Sequence, residues 1–173
     1  MTRRVGILLA AVLIAPVLAA CESTTGGSPT TSAAPVSLWN PCTEIPDATL
    51  TAAGLRPETE ETGIGGVHQD GWEICAWKGK NFYVSVYSAA RPVADIESKA
   101  GNVEFRDASI AGRAGRQFKI EGASKDLGCD VVFPAAQGLF QLQVLNAYGS
   151  ADLEDPCAVL RRVGNSIVPV LPK

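Results

Sequence analysis

The sequence predicts an α+β domain: an antiparallel sheet of about five strands, covered by helices from its N- and C-terminal ends and stapled by two disulfides. Three observations lead there. Several short segments alternate apolar and polar residues with a period of two, the pattern of strands that bury one face. Asn40-Pro41-Cys42 and Asp155-Pro156-Cys157 repeat one helix-start cue, a capping side chain followed by proline at the first helical position. Cys42, Cys75, Cys129 and Cys157 make a disulfide count once a fifth cysteine, Cys21, is set aside.

Cys21 is set aside because it closes an export signal. Thr2-Arg3-Arg4 gives a basic start, Val5 to Ala20 an apolar run of 16 residues, and Leu18-Ala19-Ala20-Cys21 the small-residue site that a lipoprotein signal peptidase cuts. The run is short for a bilayer span, which takes roughly 20 residues. Residues 1–20 are therefore expected to be a lipoprotein signal peptide, and Cys21 the lipidated first residue of the mature chain. Each buried methylene adds about 0.8 kcal/mol, so two or three acyl chains hold firmly where one is marginal. Arg3-Arg4 lacks the usual continuation of a twin-arginine signal, which leaves the general secretion route.

Residues 21–38 are expected to form a flexible tether. Apart from Glu22 and Val36, Glu22 to Ser37 is built from Ser, Thr, Gly, Ala and Pro with no aromatic residue, so burial cannot offset the entropy of ordering it. Sixteen such residues span about 20–24 Å as a coil. Its Ser, Thr and Pro content also suits O-linked sugar. Without Arg3 and Arg4 the mature chain has 13 basic and 18 acidic residues, a net charge of −5, which argues against nucleic acid as a partner.

Residues 39–173 read as the folded domain. After the Asn40-Pro41 start, Ile45 to Ala53 carries apolar residues at helical spacing and ends at Gly54, a C-cap residue. Arg56 to Gly71 reads as loop, with Glu58, Glu60 and Glu61 and a Gly63-Ile64-Gly65-Gly66 run. Trp72 to Lys78 and Asn81 to Ser88 form a hairpin in which Phe82, Val84 and Val86 alternate with Tyr83, Ser85 and Tyr87. Pro92 to Ala100 suits a short helix ended by Gly101. Further strands are expected at Arg116 to Glu121, Leu127 to Phe133 and Leu139 to Asn146; in the last, Phe140, Leu142 and Val144 oppose Gln141 and Gln143. Cys157, Leu160, Gly164 and Ile167 then lie along one stripe of a final helix that Pro169 stops.

Four cysteines admit three pairings. Cys42 with Cys75 and Cys129 with Cys157 is favoured, because each bridge then joins a helix start to a strand, over spans of 33 and 28 residues; the crossed pairings remain open. No spacing is the C-x-x-C of a zinc or redox site. Catalytic signals are sparse. The chain's one histidine, His68, has Asp70 two residues on, a base with a potential orienting acid. No G-x-S-x-G, S-x-x-K or H-E-x-x-H occurs. Glu58, Glu60 and Glu61 lack the spacing of a calcium loop and read as a solvated charged segment. Trp72, Trp77, Tyr83 and Tyr87 lie on adjacent strands, where aromatics make either core or a sugar-stacking face.

The lipobox, the Ser/Thr/Pro tether, N-P-C opening the domain, C-A-W in a strand, L-G-C-D-V in a later strand and D-P-C opening a helix that ends in V-L-P together resemble a family. They are similar to the actinobacterial lipoproteins catalogued as domain of unknown function 3558, from Trp39 to Lys173. The resemblance implies that Cys42, Cys75, Cys129 and Cys157 are structural, and it implies no activity or cofactor.

The expectation is a non-enzymatic module held by lipid at Cys21 on the extracytoplasmic side of the cell membrane. It would bind another envelope protein or an apolar or glycan ligand, with no cofactor, no metal and no nucleic acid. Two alternatives stand beside it: a lipid carrier with an apolar cavity between sheet and helices, and an envelope hydrolase using His68 with Asp70.

Overall fold

A computed structural model describes residues 37–173 apart from 123 and 151. The signal peptide, Cys21 and all of the tether but Ser37 and Leu38 lie outside the described residues.

The two proline-initiated starts fold as their residues dictate. Asn40 Oδ1 accepts from the Cys42 amide at 2.9 Å and launches α1 (Pro41–Glu44); Asp155 Oδ1 accepts from the Ala158 amide at 2.8 Å and launches α4 (Pro156–Ile167). Each side chain satisfies an amide that the first turn leaves without a partner. Asn40→Ala and Asp155→Ala are each expected to lower stability by about 1 kcal/mol, read as a shift in urea midpoint at unchanged slope. Between α1 and the sheet lies α2 (Asp47–Ala52), after which Gly54, at φ +79°, turns the chain.

Among the described residues seven strands follow where about five were expected, and the fold is mainly sheet with a few helices rather than α+β: β1 (Arg56–Thr62), β2 (Trp72–Lys78), β3 (Phe82–Ala89), β4 (Asn102–Ile110), β5 (Arg113–Ile120), β6 (Gly128–Ala135) and β7 (Gly138–Asn146). The short helix α3 (Val93–Glu97) stands between β3 and β4. All neighbours pair antiparallel in the order β1-β2-β3-β7-β6-β5-β4. The two strands absent from the sequence expectation are the two sheet edges. Arg56 to Thr62, expected as loop, presents Arg56, Glu58, Glu60 and Glu61 to solvent and breaks register with β2 after Arg56. β4 is interrupted by a register shift between Val103 and Arg106, where Glu104 takes φ +57°. Edge strands that are charged and bulged resist pairing with another chain, and the same features erase the period-two signal. The β4–β5 turn, Ala111-Gly112, has both residues at positive φ, as the right-handed twist of a two-residue hairpin requires.

α1, α2 and α4 cover one face of the sheet. Cys157, Leu160, Val163 and Ile167 of α4 pack with Val84, Val86, Val131, Phe133, Phe140, Leu142 and Val144 in one apolar cluster, to which β2 adds Trp77. Gly164 permits the close approach: a Cβ there would come within 2.8 Å of Ile110 and 3.3 Å of Leu142. The bridges tie this layer down, Cys42 to Cys75 with Cα atoms 5.3 Å apart and Cys129 to Cys157 with Cα atoms 5.1 Å apart. The opposite face, expected to be solvated, is partly covered: Ile96 of α3 sits with Ala89, Phe118, Val132 and Leu139 in a second cluster. Among the described residues no helix is long and apolar enough to cross a membrane.

Candidate ligand-binding site

The register of the sheet sets what the second face presents. Ser85, Gln143, Asp130 and Phe118 lie side by side across β3, β7, β6 and β5, and Ile74, Tyr87, Gln141 and Val132 form the adjacent row across β2, β3, β7 and β6. Five polar side chains thus meet at the centre of the sheet. Gln141 Nε2 donates to Asp130 Oδ1 at 2.7 Å, and the Tyr87 hydroxyl donates to Gln143 Oε1 at 2.9 Å. Both bonds run diagonally between the two rows and lock them together.

Asp130 is 1 % exposed, and its Oδ2 has no hydrogen-bond partner among the described residues. Burial disfavours its charged form and pushes the carboxyl up to about 7, an effect that the Gln141 hydrogen bond, the nearby Gln143 amide and the charge of Lys99 only partly offset. Burial, reinforced by the Asp130 charge, likewise pushes the Tyr87 phenol up to about 12.

Above this floor lies an open cavity of about 600 Å³. Trp72 and Ile74 wall it on the β2 side and Phe118 and Ile120 on the β5 side, with Tyr87, Gln141 and Gln143 from the floor between them. α3 and its flanks contribute Ile96, Asp95, Arg91 and Lys99, and the β1–β2 connection contributes Ile64 and Gln69. Trp72 and Tyr87 meet edge to face with centroids 6.1 Å apart, and the Arg91 guanidinium lies 5.7 Å from the Trp72 ring centre. The surroundings are apolar and aromatic with a few convergent amides, the composition of small-molecule sites, and the volume is in their range of about 300–1,000 Å³. Among the described residues the lining includes no serine, threonine, cysteine or histidine.

The residues singled out from the sequence are scattered. His68 and Asp70 are both exposed in the β1–β2 connection, with no hydrogen bond between them among the described residues. Glu58, Glu60 and Glu61 stand exposed on the edge strand. Glu60 approaches Cys42 and Cys75, but those sulfurs are bonded to each other, so the group offers a metal one carboxylate and no thiolate. The four aromatics divide: Trp77 is buried on the helix side, Tyr83 is 41 % exposed near the end of β3, and Trp72 and Tyr87 enter the cavity.

Sequence reasoning missed Asp130 and read Gln141 and Gln143 as solvent-facing. The available signal was a lone acid inside Cys129-Asp130-Val131-Val132-Phe133, where a half-exposed strand would hardly place a single carboxylate between such neighbours.

No curated protein and no solved structure matches the chain. A family model described as "Protein of unknown function (DUF3558)" matches residues 16–170, and the chain belongs to that family.

Proposed function

We propose that this protein is a non-enzymatic binding module, lipid-anchored through Cys21 on the outer side of the cell membrane, that holds a small amphipathic ligand in the cavity beneath α3. The observation that carries the reading is the cavity itself: about 600 Å³ with an aromatic and aliphatic wall and a floor of oriented amides. An apolar body gains by leaving water against Trp72, Ile74, Phe118 and Ile120, and the amides hold a polar group in one orientation. The helix side of the sheet supports this over a carrier with its cavity there, because Phe140, Leu142, Val144 and Leu160 are fully buried and fill that space. A hydrolase built on His68 and Asp70 finds no support in their exposed positions.

The test is to isolate the wild-type chain and a Gln143→Trp variant, which fills the cavity from its half-buried floor position, from their native membranes. Small molecules released from each are compared by mass spectrometry. A compound enriched on the wild type and absent from an equally folded variant is the expected result. Identical extracts from the two would contradict the proposal.

A further inference from the structure

The hydrogen bonds beneath the cavity decide which atoms a ligand meets. Gln141 commits its Nε2 to Asp130 at 2.7 Å, which turns its Oε1 away from that carboxylate. Gln143 commits its Oε1 to the Tyr87 hydroxyl at 2.9 Å, which leaves its NH₂ with two donor hydrogens, one of them sufficient for the nearby Asp130. Asn102 spends its Nδ2 on the Ile96 carbonyl at 2.8 Å and keeps its Oδ1. All three amides line the cavity. Among the described residues an acceptor, a donor and a further acceptor therefore stand free beside Trp72 and Tyr87, and the charged lining residues Arg91, Asp95 and Lys99 are all exposed side chains.

We infer that the cavity recognises an uncharged sugar bearing an acetamido group, its N–H donated to Gln141, its carbonyl accepting from Gln143 and its ring packed against Trp72 and Tyr87. The inference rests on the cavity being a ligand site. A secondary amide supplies one donor and one acceptor, which matches what the locked glutamines lack, and ring hydroxyls serve Asn102. A plain hexose offers only hydroxyls there, without the planar donor–acceptor pair or the methyl group that an acetamido group brings, and a free amine puts donors in its place with no acceptor for Gln143.

The experiment titrates the full chain with N-acetylglucosamine, glucose, glucosamine and N-acetylalanine methylamide, followed by tryptophan fluorescence and calorimetry. The fluorescent probe 8-anilinonaphthalene-1-sulfonate, with Gln143→Trp as the filled control, reports on the cavity independently. N-acetylglucosamine binding at least tenfold tighter than glucose or glucosamine, with that preference lost in Gln143→Leu, is expected. Equal binding of the sugars, or preference for the peptide amide, overturns the sugar assignment; if the fluorescent probe still occupies the cavity and Gln143→Trp excludes it, the ligand-site reading stands without it. Failure of every probe to bind overturns both.

Discussion

Replacing Cys129 and Cys157 together by alanine is expected to lower stability by about 3–4 kcal/mol, the amount associated with closing a loop of this size in the unfolded chain. The bridge closes 28 residues and fixes the first turn of α4 to the start of β6, both within the apolar core. Two truncated side chains would also leave a void in the apolar cluster that includes Phe133 and Leu160, and Gln117, whose Nε2 points at Cys157 Sγ from 3.5 Å, would lose that neighbour while buried. The urea midpoint of the variant should fall well below that of the oxidised wild type and stay above that of the reduced wild type, which loses the Cys42–Cys75 bridge as well. A variant as stable as the oxidised protein would mean that packing of α4, not the bridge, holds this layer in place.

The second large effect is a dependence of stability on pH that one residue dominates. Asp130 titrates near 7 in the folded chain, against 3.8 without its surroundings. Between these values the native protein binds more protons than the unfolded one, so stability falls as pH rises from about 4 to about 7 and is level above. At 1.36 kcal/mol per pH unit, a shift of about three units is worth on the order of 4 kcal/mol. Asp130→Asn keeps an acceptor for Gln141 and removes the ionisation. The difference between variant and wild type should therefore grow in the variant's favour from pH 4 to pH 7, on the order of a few kcal/mol, and then stay constant. Taking the difference cancels the exposed carboxylates, such as Glu104, whose partner Lys125 holds it below its usual range. A difference that does not change with pH would place Asp130 in a wetter site than its 1 % exposure indicates.

How far the fold could be read depended on where a residue stood in the sheet. The helix starts were legible because Asn40-Pro41 and Asp155-Pro156 are local devices, acting within one turn. β3 and β7 were legible because central strands must bury one face, and Phe82, Val84 and Val86, like Phe140, Leu142 and Val144, carry that requirement in their own spacing. β1 and β4 were not, since an edge strand such as Arg56-Pro57-Glu58-Thr59-Glu60 gains its pairing from a neighbour and shows no apolar face of its own.

The site was least legible of all. Gln141 and Gln143 alternate with apolar residues just as solvent-facing residues do, and only α3, arriving from between β3 and β4, makes their face an interior. The polar centre is likewise a product of register, because Tyr87, Gln141, Gln143 and Asp130 come from three strands and meet only when β3, β7 and β6 pair as they do. What the sequence did carry was the aromatic pair: Trp72 and Tyr87, weighed as core or sugar face, belong to the cavity, and Trp77, five residues further on in β2 and so on its other face, belongs to the core.

The most direct test of the cavity as a ligand site is a heteronuclear NMR spectrum of the isotope-labelled full chain, before and after addition of a small-molecule extract of the cell envelope. The side-chain amides of Gln141 and Gln143 report from the floor, and the Leu160 and Val163 amides of α4 report from the opposite face. Shifts at Gln141, Gln143, Tyr87 and the walls Trp72, Ile74, Phe118 and Ile120, with α4 unmoved, are the predicted result. Shifts centred on α4, with the two glutamine amides unchanged, would contradict it.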